Sequence, residues 1–265
     1  MFSSIYIKTL HERRKAIVFW SLGLFAFALF IGLLYPSIDD IEGFEALADD
    51  MPDIFQALVG EINDITSPAG FLGAELYSLM LPLGLSILAI GFGASAVARE
   101  EETGTIELLL ATPTSRTRII IEKIAALATI LLLAAAATWM GVALSTLLVD
   151  FDVSLVDAWW ASVIAASLAF SFGLLALAIT AWGGKRGLAV GVMAAFFTIS
   201  YFGNTLAVMV EAIESMRYAS LLYYYDGPGV VAGDVSLGNI LLLSAVSVLG
   251  LLMSVVGFNR RDVGC

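Results

Sequence analysis

The chain has 265 residues, of which 60% are hydrophobic and 14% charged, with a mean hydropathy of +0.93. Soluble domains carry roughly 25% charged residues, so a single water-facing globule is excluded: it would expose large sticky patches. A net charge of −11, from 13 basic and 24 acidic residues, argues against a nucleic-acid binder, and one cysteine with one histidine leaves no intramolecular disulfide, no thiolate metal cluster and little His-dependent chemistry.

A bilayer core about 30 Å thick is crossed by roughly 20 consecutive apolar residues in a helix. Six stretches qualify: about 16–35, 76–98, 125–148, 158–182, 188–210 and 239–258, none containing Asp, Glu, Lys, Arg or His. They are continuous apolar runs, not the alternating segments of a membrane barrel. Each is therefore predicted to be a helix that satisfies its own backbone hydrogen bonds. The expected fold is all-α: one polytopic membrane domain over 1–265, with six transmembrane helices, an N-terminal interfacial helix and a short cytoplasmic helix between the second and third spans.

Charge sets the orientation. Lys8, Arg13, Arg14, Lys15, Arg99, Arg116, Arg118, Lys123, Lys185, Arg186, Arg260 and Arg261 fall in segments that share one side of a six-span chain, which is 12 of the 13 basic residues. The other side holds only Arg217 but 17 of the 24 acids. Both termini are expected in the cytoplasm, with the protein in the plasma membrane.

In chain order, Phe2, Ile5, Tyr6 and Leu10 stand at helical spacing opposite Lys8, His11 and Arg14. That pattern suits a helix lying in the membrane interface before the chain turns inward; a basic arm that only sets topology reads the same way. The first span exceeds a signal-peptide core and runs into Tyr35-Pro36 and acids with no small-residue cleavage site, so it is expected to be a retained anchor. Residues 36–75, with ten acids and no base, form the extracytoplasmic loop, with weakly amphipathic pieces near 41–49 and 52–62. Asp39-Asp40 and Asp49-Asp50 lack the spacing of a calcium loop, which favours a solvated acidic cap over cation capture. In the second span, Gly84, Gly91 and Gly93 permit close helix approach and Pro82 is a candidate kink.

Residues 99–123 are the most informative. The second helix leaves the membrane through Arg99, Glu100, Glu101 and Glu102, and Gly104 interrupts it. Thr105 then caps a short predicted helix whose Ile106, Leu109 and Leu110 face one way. Pro113 ends that piece, and Ser115 or Thr114 caps the run into the third span. A simple amphipathic turn holding two helices apart has the same pattern.

This stretch resembles the cytoplasmic signature of ABC-2-type transporter permeases: a Glu-rich turn, Gly-Thr, a Leu run, Thr-Pro-x-Ser-Arg and a downstream Lys. Here these are Glu100, Glu101, Glu102, Gly104, Thr105, Glu107, Leu108, Leu109, Leu110, Thr112, Pro113, Ser115, Arg116 and Lys123. The ending Phe258-Asn259-Arg260-Arg261-Asp262 is similar to the close of many such permeases. The resemblance implies that 100–112 is a coupling helix seated in a groove of a separate ATP-binding subunit, and that Gly183-Gly184-Lys185-Arg186-Gly187 makes a second contact through Lys185 and Arg186. It implies two ATPase copies, a second permease chain of the same or a similar kind, and no cofactor bound by this chain, ATP-Mg residing in the partner.

Farther along, Gly187 and Gly191 of the fifth span also permit close approach, and Thr198, Ser200 and Asn204 are candidate pathway lining or interhelical hydrogen-bonders. The loop 211–238, with Arg217, Tyr218, Tyr223, Tyr224 and Tyr225, suits an interfacial or partly re-entrant segment closing the outer side.

No Walker A sequence is present: Gly184-Lys185 is followed by Arg186, with Ile179 where the first glycine belongs. No span carries a titratable group for a proton or coupling ion, and none supplies a His or carboxylate cluster for intramembrane hydrolysis. The expected function is a non-catalytic permease exporting a hydrophobic or amphiphilic substrate with energy from a partner. A secondary transporter binding ions through unwound backbone, a membrane scaffold, or a membrane enzyme with its site in 36–75 are the alternatives.

Overall fold

A computed structural model describes residues 4–39, 67–104, 114–207 and 217–260. All regular structure among them is helical. In chain order the helices are α1 (Ile5–Asp39), α2 (Pro68–Leu72), a π turn (Gly73–Tyr77), α3 (Met80–Ser95), α4 (Ala98–Glu102), α5 (Arg116–Leu148), α6 (Leu155–Ala181), α7 (Arg186–Ala207), a 3₁₀ turn (Leu221–Tyr224), α8 (Gly227–Val231) and α9 (Leu237–Arg260). Six helices are long and apolar enough to cross a membrane: α1, the α2–α3 unit, α5, α6, α7 and α9. Each of the six predicted spans overlaps one of these helices; 76–98 runs past Ser95, and residues 208–210 of the fifth lie outside the described residues. The sequence-predicted pieces at 41–49, 52–62 and 105–113 lie outside the described residues.

One expectation changes at the start of the chain. The basic arm and the first span are not two helices joined by a turn. Instead α1 is one unbroken helix of 35 residues, about 52 Å long at 1.5 Å per residue. Nothing between Leu10 and Trp20 breaks a helix, since the stretch holds no Gly or Pro.

The second span is interrupted instead of kinked at its proline. Ser67 caps α2, its Oγ accepting from the Gly70 amide at 3.0 Å, with Pro68 at the helix start. The π turn follows, and Leu79 leaves helical geometry at φ −134° before α3 begins. Pro82 lies in the first turn of α3, where a missing amide costs least.

The bundle is organised around α6, which packs along α3, α9 and α5, while α1 packs along α5. Small residues set these approaches. A Cβ on Gly93 of α3 would collide with the Gly173 carbonyl of α6, and one on Gly141 of α5 with the Phe25 carbonyl of α1. In lipid there is no hydrophobic drive between helices, so such close packing and interhelical hydrogen bonds do the work. Along α6 and α9, Ser171 and Ser247 share a hydrogen bond of 2.9 Å. Of the glycines picked out in the second span, only Gly93 makes such a contact; Gly91 faces open space and Gly84 has ordinary neighbours. Gly187 and Gly191 also face open space, because α7 buries only the narrow stripe Ala189, Met193, Phe197, Ser200 and Ala207.

Candidate functional site

The ends of four helices meet at the root of α5. Ser115 caps that helix, its Oγ accepting from the Arg118 amide at 3.3 Å with ψ 146° at the cap, as the sequence predicts. From the first turns of α5, neighbouring residues reach to different helices. Glu122 accepts from Ser4 Oγ at 2.8 Å, from the Tyr6 amide at 3.0 Å and from Arg118 Nε at 2.8 Å. It thereby satisfies the Tyr6 amide at the start of α1, the position where a carboxylate is favoured. Tyr6 Oη adds a 3.0 Å bond to Thr129 Oγ1.

Lys123 turns the other way. Its Nζ lies 2.8 Å from Glu100 Oε1 and also donates to the Ala96 carbonyl. The lysine is 4% exposed. On the fourth side, Arg116 donates to the Phe258 carbonyl at 3.4 Å, and Asn259 Nδ2 to Thr117 Oγ1 at 2.9 Å, so the end of α9 is tied in as well. Arg13 of α1 stacks over the Phe92 ring at 5.4 Å and donates to Ser95 at the end of α3.

The exit from α3 is therefore held tightly. The helix stops at Ser95, Ala96 and Val97 form a turn, and α4 carries Arg99, Glu100, Glu101 and Glu102 outward. Gly104 then takes φ +67°, a conformation that favours glycine, where the sequence predicts the interruption. Thr105, Glu107, Leu108, Leu109, Leu110 and Pro113 lie outside the described residues. The described members of the predicted coupling set thus divide. Glu102, Gly104 and Ser115 are exposed, Glu100, Glu101 and Arg116 are half-buried, and Lys123 is interior. Lys185, just before α7, and Arg186, its first residue, are both exposed.

Thr198, Ser200 and Asn204, all on α7, differ in exposure. Thr198 is exposed, Ser200 is buried and Asn204 half-buried. The Ser200 carbonyl accepts from Ser220 Oγ at 3.0 Å, which anchors the segment 217–231 to α7.

The segment 217–231 is better packed than its sequence suggests. Tyr225 is buried and donates to the Tyr77 carbonyl at 2.7 Å; Tyr77, fully buried, hydrogen-bonds Ser162 Oγ at 2.8 Å and the Ala158 carbonyl at 3.0 Å. Burial, helped by Tyr77 and Asp226 nearby, holds the Tyr225 hydroxyl well above its ordinary pKa, so it stays a donor. Leu221, Leu222, Val230 and Val231 are buried with it, packed near the π turn. Arg217 stacks on Tyr218 and Tyr223 at 5.3 and 5.2 Å. Tyr77 was not singled out in the sequence; a tyrosine inside an apolar span offers no signal until its partner is seen.

Six spanning helices with a carboxylate-rich exit between the second and third define a multi-pass membrane protein. A family model described as ABC-2 family transporter protein matches residues 3–263. The chain belongs to that family and is a permease subunit of an ABC transporter. No curated protein matches it.

Proposed function

We propose that the chain is the membrane half of an ATP-driven exporter of hydrophobic or amphiphilic molecules, resident in the plasma membrane with both termini in the cytoplasm. Two permease chains, identical or similar, pair above two copies of a separate ATPase subunit, which holds ATP-Mg and performs the hydrolysis. Residues 100–112 form the coupling segment. In it, Glu100, Glu101, Glu102, Gly104, Thr105, Glu107, Leu108, Leu109 and Leu110, with Pro113, Ser115, Arg116 and Lys123 following, receive or transmit the motion of the ATPase. Lys185 and Arg186 give the second contact, and Thr198, Ser200 and Asn204 line the pathway. The motion is a rigid-body rocking of spans between inward- and outward-open states.

The observation that carries this reading is the exit from α3. A Glu-rich helix departs beyond a break, and the chain re-enters through a capped α5 whose first turns grip three other helices. An element so fastened delivers force to several spans at once. Uncharged spans support an apolar or amphiphilic cargo, and the lack of a Walker A sequence supports hydrolysis in a partner. Affinity purification from native membranes tests it: an ATP-binding chain in a 1:1 ratio with the permease is the expected result, and purification of the permease without any ATPase contradicts it.

A further inference from the structure

We propose that Lys123 is an internal strut, not part of the ATPase-docking surface: it fastens α4 across the break at Ala96–Val97 to the root of α5, so that displacement of the segment after Glu102 is delivered to the third span. The inference rests on the coupling reading of residues 100–112 and refines which residues touch the partner.

Three observations converge. First, the run of α-helical hydrogen bonds is interrupted between α3 and α4: the helix ends at Ser95, and Ala96 and Val97 form a turn, with Val97 at φ −111° and ψ −50°, before α4 starts. An unsupported break of this kind is a hinge, and a push on α4 would be absorbed there. Second, Lys123 Nζ bridges the break. It holds the Ala96 carbonyl on the near side and, at 2.8 Å, Glu100 Oε1 on the far side. Third, both groups are withdrawn from the surface where a partner docks: the lysine and glutamate side chains are 5% and 18% exposed. An ion pair taken out of water gains little over well-packed apolar residues of the same size. What it adds is direction, because an ammonium with two fixed acceptors holds both sides of the hinge at set distances. The adjacent Glu122 extends the path, since its carboxylate holds the start of α1 through Ser4 and Tyr6. Motion of α4 therefore reaches α5, and through it α1, with the break at 96–97 kept from flexing.

The role is one of positioning, and two measurements test it. On the full-length permease in lipid nanodiscs, Lys123→Met and the milder Glu100→Gln should raise hydrogen exchange at amides 97–104 by tenfold or more, with the middle of α5 unchanged. The reversed pair Glu100→Lys with Lys123→Glu should restore protection. Unchanged exchange in both single variants overturns the strut whatever the ATPase does. On the permease with its copurified ATPase, Lys123→Met should bind the ATPase with the affinity of the native chain but lose at least fivefold in permease-stimulated ATP hydrolysis, regained in the reversed pair. Weaker ATPase binding by Lys123→Met would make the lysine a docking residue and overturn the proposal, as would full stimulation. Should no ATPase copurify even with the native chain, the coupling reading fails, and the exchange measurement still decides the strut.

Discussion

Gly93 and Gly173 meet where α3 crosses α6, so closely that a side chain on Gly93 would run into the Gly173 backbone. The contact joins the second span to the central helix of the bundle, and with α9 locked on the same helix through Ser171 and Ser247 it builds one block of three spans. The other close pairing, α1 on α5, forms a second unit beside it.

Gly93→Val should therefore cost about 1–3 kcal/mol, the usual penalty for overpacking a tight interface. The check is the unfolding temperature of the purified protein in detergent, by intrinsic fluorescence. Gly91→Val, only two residues earlier, points into open space and should leave that temperature unchanged.

Tyr225→Phe keeps the ring but removes the donor to the Tyr77 carbonyl. A loss of about 0.5–1.5 kcal/mol is expected, seen as faster proteolysis or exchange within 217–231. Tyr218→Phe, at an exposed hydroxyl, should show neither.

At the inner end, Glu122→Ala leaves the amide of Tyr6 and the hydroxyl of Ser4 without their carboxylate. Hydrogen bonds to a charged group contribute about 1.5–3 kcal/mol, so the first turn of α1 should fray. Exchange at Tyr6 and Ile7 should rise while the helix beyond Trp20 stays protected.

Replacing Glu107 and Leu109 together with alanine should abolish permease-stimulated ATP hydrolysis while membrane insertion, read by carbonate extraction, stays intact. Stimulation equal to that of the native chain would count against residues 100–112 as the coupling element.

The spans were legible in the sequence because lipid demands long uncharged runs, and 16–35 or 158–182 can be nothing else in a bilayer. The cap at Ser115 and the turn at Gly104 were legible because a hydroxyl before a helix and a glycine at positive φ act locally. What escaped were the facts set by distant partners. Lys123 reads as one more cytoplasmic cation until Glu100 and Ala96 are seen around it. Gly91 and Gly93 look alike in sequence, yet only Gly93 meets a neighbouring backbone. Tyr77 looks like a lipid-facing aromatic but is the hub of the outer closure. The smooth run of α1 escaped for the opposite reason: its basic, weakly amphipathic start fits an interfacial helix and a cytoplasmic extension equally well.

The central claim is that the segment after α4 lies against an ATPase on the cytoplasmic side. Site-specific photo-crosslinking from position 109, in native membranes, tests it most directly. The account predicts an adduct with an ATP-binding chain that disappears when residues 105–112 are deleted. Adducts with lipid alone, or labelling of a cysteine at that position by an impermeant reagent added outside intact cells, would contradict it.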